Sequence, residues 1–131
     1  MALLTVTPKG FAWFRKGHPW IFRDDLERIQ DASPGGLVTL QGRRGEFLAQ
    51  GFYSDRSKIA FRLVSRSRRP IDRGFWKEKI QRAIDFRSAV MPEADACRLV
   101  YGESDGIPSL IVDRYGSHLV LQTLSDRKSV V

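Results

Sequence analysis

Only residues 72–91 of this chain keep an apolar period suited to a long helix; glycine and proline cut most of the rest into short runs. Trp76, Ile80, Ala83, Ile84 and Val90 form an apolar stripe, Asp72 is placed to cap the first turn, and Pro92 ends the run. Glu78 and Arg82 stand four apart as a surface pair. With one good helix and many short apolar runs, the core has to be built largely from strands.

Residues 3–6 read as a short strand stopped by Pro8, Lys9 and Gly10. Gly35 and Gly36 lead into a strand ending at Leu40, with Leu37 or Val38 inward according to register. Residues 41–45 make a turn and residues 46–53 the returning strand. In residues 59–64, alternation places Ile59, Phe61 and Leu63 on one face and Arg62 on the other. Residues 24–29 are expected to add a helical turn. Short strands joined by glycine turns predict a small curled β-barrel. Residues 65–70 read as a linker, polar and rich in arginine. Beyond the helix, strands are predicted at 98–101, 110–113 and 118–124, with a tight turn at Tyr115, Gly116 and Ser117. The fold class is therefore α+β in two parts, residues 1–67 and 70–125, with a divergent tail at 126–131. Units of about 60 residues are marginal alone, so each is expected to lean on the other, on a partner or on further chain.

Charge divides at the same place. Residues 1–70 hold 13 Lys and Arg against 6 Asp and Glu, an excess of +7, whereas residues 71–131 hold 9 of each. A basic module beside a neutral one suits a polyanion partner, with a merely solubilising surface as the plain alternative. The densest cluster runs Arg15, Lys16, Gly17, His18, Pro19, Trp20, Ile21, Phe22, Arg23. Arg15, Lys16 and Arg23 are assigned to phosphate contacts and His18 to the same surface. Trp20 and Phe22, two apart, read as inward-facing strand residues, although exposed rings would serve to stack bases. Arg43 and Arg44 in a turn, and Arg66, Arg68 and Arg69 in the linker, extend the basic surface.

Several chemistries lack their residues. Cys97 is the only cysteine and there are two histidines, so neither a disulfide nor a Cys/His zinc site is expected, and no metal is assigned. No apolar run approaches the ~20 residues of a membrane span, and the first residues lack a basic leader, so a cytoplasmic protein is expected. There is no G-x-G-x-x-G, P-loop, G-x-S-x-G or H-E-x-x-H pattern, and no catalytic residue is assigned. Glu103 and Asp105 would suit acid–base work, but a solvated hairpin turn at Asp105 and Gly106 explains them as well.

Residues 16–22, Gly36-Leu37-Val38, Gly51-Phe52-Tyr53 and residues 57–63 resemble the PUA domain that opens a family of S-adenosylmethionine-dependent 23S rRNA cytosine-5 methyltransferases. Residues 98–108 and 110–116, with Glu103, Asp105, Gly106, Pro108, Asp113 and Arg114, are similar to the signature of that family's central β-β-α-β-β domain, although the family usually has glycine where this chain has Ser109. The resemblance implies a PUA-like β-barrel followed by a β-β-α-β-β domain, with large-subunit rRNA as partner. It also implies that S-adenosylmethionine and the family's nucleophilic cysteine belong to a further catalytic domain that this sequence does not carry. Cys97 precedes the signature and is not that cysteine. The function expected is RNA binding and substrate positioning without a methyl-transfer site of its own. The alternative is an interaction module in which the strand at 118–124 drives association, for instance as a homodimer.

Overall fold

A computed structural model describes residues 1–123; Leu124, the last residue of the final predicted strand, and the tail at 126–131 lie outside the described residues. The chain divides into two compact units that meet between Arg68 and Arg69.

The leading unit is a curled six-stranded sheet in the order β2-β6-β5-β4-β1-β3. Its strands are β1 (Leu3–Val6), β2 (Trp20–Phe22), β3 (Leu26–Gln30), β4 (Leu37–Gln41), β5 (Phe47–Tyr53) and β6 (Ile59–Ser65). All neighbours run antiparallel except β1 and β4. Leu4 of β1 and Ile21 of β2 are both fully buried in one cluster with Leu40 and Phe61. Four strand spacings would hold β1 and β2 about 19 Å apart in a flat sheet, so the sheet must curl for them to share a core. Val38, not Leu37, is the inward residue of β4.

Three features of this unit depart from the sequence expectations. Residues after β1 form a helix, α1 (Pro8–Arg15), with Thr7 Oγ1 accepting from the Gly10 N–H at 3.0 Å and proline in the first turn. Gly10 lets it approach the following 3₁₀ turn (Arg23–Asp25), since a Cβ there would lie 2.6 Å from the Asp25 carbonyl oxygen. The alternation of β6 is also broken. Ile21 pairs with Phe61 but Phe22 with Ile59, and Gln50 pairs with Ser65 but Gly51 with Leu63. Ala60 and Val64 are thus extra residues at β-bulges, and both turn inward beside Phe61. The predicted helical turn shrinks to Arg23–Asp25 and continues as strand β3.

The second unit holds α2 (Arg73–Val90) and a three-stranded antiparallel sheet, β7 (Ala96–Tyr101), β8 (Leu110–Tyr115) and β9 (His118–Thr123). Asp72 caps α2 as expected, accepting from the Phe75 N–H at 2.9 Å. Among the described residues no strand precedes the helix in this unit, so its order is α-β-β-β and not β-β-α-β-β. The helix buries Phe75 and Ala83, with Trp76 against the core of Leu99, Val100 and Ile107. Ile80 and Val90, assigned to the stripe, are 36% and 59% exposed. Glu78 pairs with Arg69, from ahead of the helix.

Candidate nucleic-acid interface

Five arginines of the leading unit lie at α1 or at the turn between β4 and β5. Arg15 ends the helix and lies 5.7 Å from the ring centre of Phe11. Phe11 in turn lines a cleft of about 220 Å³ together with Arg43, Arg44 and Glu46 of the β4–β5 turn. Just after β6, Arg66 lies 4.5 Å over the ring of Phe14, and Arg68 lies 4.7 Å over Phe47, the first residue of β5. Residues as distant in sequence as Arg15 and Arg66 therefore meet the same helix. A guanidinium held against a ring loses little freedom when its N–H edge meets a phosphate, which makes such contacts good anchors. Arg43 also donates to Glu27 Oε2 at 2.7 Å, an exposed pair of small energetic value. Lys16 follows the helix and is exposed.

His18 and Arg23 face different surroundings. The His18 ring stacks on Trp13 with centroids 3.6 Å apart and planes 6° from parallel. Trp13 tilts against Phe22, and its buried Nε1 has no hydrogen-bond partner among the described residues. Arg23 Nη2 donates to the carbonyls of Ser54 (2.5 Å) and Ser57 (2.9 Å), clamping the loop between β5 and β6. Trp20 corrects a sequence expectation. Ile21 takes the inward position, so Trp20 points outward, 36% exposed, with Arg62 5.5 Å from its ring centre. Phe22 is half-buried.

In the second unit the signature residues are all engaged within the fold. β7 and β8 are joined by a 3₁₀ turn (Gly102–Asp105) and not by a tight hairpin. Asp105 pairs with Arg87 of α2 and accepts from the Tyr101 N–H. Burial works against its ionisation, but the hydrogen bonds from Arg87 and Tyr101 outweigh that and hold its pKa below the usual carboxylate value. Gly106 caps the turn in the left-handed region at φ 71°, with Lys79 packed where a Cβ would lie. Pro108 is buried. Asp113 receives two hydrogen bonds from Arg98, which lower its pKa, and Arg114 donates to the Ala94 carbonyl at 2.8 Å. Glu103 is half-buried in the turn. An acid–base pair needs one carboxyl poised to give up a proton near neutrality, and Asp105 is shifted the other way. Ser109, where the resemblance led us to expect glycine, is 8% exposed and sits at φ 66°. No cluster of three or more His, Cys, Asp or Glu among the described residues could hold a metal.

Residues 4–66 match a family described as PUA-like domain. The leading unit has a PUA-like fold. Continuing past this PUA-like domain, the chain is similar to ribosomal RNA large subunit methyltransferase I of Salmonella arizonae, 36% identical over 112 residues, and to that of Klebsiella pneumoniae, 38% identical over 112 residues. These alignments cover 82% of the chain but only 28% of each relative. The fold is also that of a solved Streptococcus mutans protein assigned to the SAM-dependent methyltransferases, with a TM-score of 0.82 at 18% identity over 96% of this chain and 34% of that one. A solved structure of SMU.776 complexed with SAH superposes with the same TM-score of 0.82, over 33% of its length. The PUA-like domain and the unit after it thus correspond to a shared leading part of longer methyltransferases. The described residues contain no strand, glycine-rich loop and helix of the kind that cradles the cofactor of such enzymes. No helix among them is long and apolar enough to cross a membrane.

Proposed function

We propose that this chain is the RNA-binding, substrate-positioning part of an rRNA methyltransferase-like protein acting in the cytoplasm, with large-subunit rRNA as its partner. The observation that carries the reading is the convergence of Arg15, Arg43, Arg44, Arg66 and Arg68 on α1 and the β4–β5 turn of a PUA-like domain. Residues 1–70 hold the whole excess charge of +7, and such a surface attracts a polyanion through counterion release. Residues 71–131, with nine charges of each sign, add nothing to that excess. Methyl transfer from S-adenosylmethionine to a cytosine would be the task of the longer protein.

The test is a salt titration with a structured rRNA fragment. The logarithm of affinity should fall by roughly 0.7–0.9 per log unit of salt for each phosphate neutralised. Arg43→Ala with Arg44→Ala should flatten that slope by about two contacts without altering the melting temperature. Binding that is absent at low salt, or indifferent to it, overturns the reading.

A second reading rests on β9, where Leu119, Val120 and Leu121 are 58%, 48% and 53% exposed. An edge strand with exposed apolar residues invites association, so the chain would form a homodimer or dock a partner there. Sedimentation of a single monomeric species across a wide concentration range excludes the homodimer.

A further inference from the structure

We propose that the outer face of the PUA-like sheet carries a stacking platform for unpaired nucleobases of RNA, formed by Trp20, Arg62, Phe52 and Leu37. The register puts these residues in a single row. Trp20 pairs with Arg62, Arg62 with Phe52, and Phe52 with Leu37, across β2, β6, β5 and β4. Directly paired residues share a face, and the rows to either side point the other way: Ile21, Phe61 and Tyr53 on one side and Val38, paired with Gly51, on the other are at most 7% exposed. Trp20 and Leu37, at the two ends, are 36% and 40% exposed, and Arg62 and Phe52 between them are half-buried.

Plain alternation along β6 already places Arg62 outward, and the bulges at Ala60 and Val64 turn inward the two apolar residues that alternation would set on its face. Arg62 lies 5.5 Å from the ring centre of Trp20. Neighbouring paired side chains stand about 5 Å apart, so the row is about 15 Å long, enough for two or three bases. Rings offer stacking faces, and a guanidinium plane stacks on a base as well as on tryptophan. The next row along the outer face, Thr39, Gln50 and Ser65, is polar and uncharged, and suits the hydrogen-bonding edges of bases better than an apolar partner. A cation in the middle of the row, within residues 1–70 of net charge +7, favours RNA over a second copy of this equally basic chain.

This inference rests on the RNA-binding reading but reads the base where that reading concerns phosphate. The test compares a 12-nucleotide single-stranded oligoadenylate with an abasic strand of the same length and charge. Trp20→Ala should weaken oligoadenylate binding about tenfold, leave the abasic strand unaffected and keep the salt slope, while Trp20→Phe retains most of the affinity. Phe52→Ala should act in the same direction, with melting curves confirming that each variant is folded. Equal loss on both strands, or no loss on either, overturns the platform while the phosphate reading stands. A dimer dissolved by Trp20→Ala at unchanged RNA affinity also overturns it, giving the face to a second copy. Failure of the unaltered chain to bind either strand at low salt, while a structured rRNA fragment still binds, overturns the platform alone; failure on the structured fragment as well overturns both readings.

Discussion

The Arg87 guanidinium and the Asp105 carboxylate meet through two parallel hydrogen bonds, Nη1 to Oδ1 at 2.7 Å and Nη2 to Oδ2 at 3.0 Å. Arg87 Nε donates in addition to the Arg98 carbonyl, and Asp105 Oδ2 accepts from the Tyr101 N–H. One side chain of α2 is thereby tied to β7 and to the turn that follows it. With the two side chains 14% and 11% exposed, the pair is far better shielded than the Arg69–Glu78 pair on the surface.

Asp105→Asn keeps the shape and removes the charge, leaving Arg87 half-buried opposite a neutral amide. We expect a loss of about 2 kcal/mol in the second unit, read as a lower urea midpoint. Glu78→Gln, made as a control on the exposed pair, should change stability by less than about 0.5 kcal/mol.

The same pair sets an acid limit. Asp105 and Asp113 both have folded pKa values below their unfolded ones, so their contribution is present above the unfolded pKa of about 3.9 and disappears as pH falls through the folded values. The urea midpoint should therefore decline below about pH 4, and the gap between the parent chain and Asp105→Asn should close there. A gap that stays constant down to pH 2 contradicts this assignment.

Ser109 holds a left-handed backbone angle, φ 66°, in a nearly buried position. Glycine tolerates that region without the Cβ clash that costs other residues about 1–2 kcal/mol, though it loses more chain entropy on folding. Ser109→Gly should stabilise the second unit by about 0.5–1 kcal/mol, visible as a higher melting temperature.

Gly51 and Gly45 should respond to alanine for different reasons. A Cβ at Gly51 would lie 2.3 Å from the Arg62 carbonyl oxygen and 2.5 Å from the Phe61 ring, whereas one at Gly45 meets nothing within 4 Å but has φ 81°. Gly51→Ala overpacks the core and is expected to cost about 2–3 kcal/mol. Gly45→Ala should cost about 1 kcal/mol through backbone strain alone. Calorimetry on both variants distinguishes the two.

Arg23→Ala and Arg66→Ala separate a structural arginine from a surface one. Arg23 clamps two carbonyls, so its loss should lower stability by about 1–2 kcal/mol with little change in RNA affinity. Arg66→Ala should do the reverse, weakening RNA binding while the melting temperature holds. A result with the roles exchanged returns Arg23 to the phosphate surface.

Much of the architecture could be read from local signals, because α2 has a cap at Asp72 and a stop at Pro92, and most strands lie between glycine turns. Bulges escaped that reading. Period-two alternation assumes an unbroken ladder, and the extra residues Ala60, Val64 and Leu99 each place two consecutive apolar side chains inside. Helix α1 was missed because eight residues including Gly10 carry little periodic signal, although Thr7 before Pro8 is a start signal that was there to be used. The apolar stripe of α2 is narrower than its period suggests, since Ile80 is 36% and Val90 59% exposed, while Phe75, outside the stripe, is buried along with Ala83. Among the site residues, the basic composition was visible but its gathering around α1 was not. Contacts such as Arg66 over Phe14 join positions that sequence spacing cannot relate.

The strand order of the leading unit also bears on how it is made. Among the described residues β2 lies at one edge and pairs with β6 alone, so Trp20, Ile21 and Phe22 wait for that ladder until residues 59–62 have been synthesised. During translation the hydrophobic interior should thus stay unsealed until β6 clears the ribosome exit tunnel, and closure over so long a loop should be slow compared with folding of α2. Chaperone dependence should peak in that window and end with the arrival of Ser65.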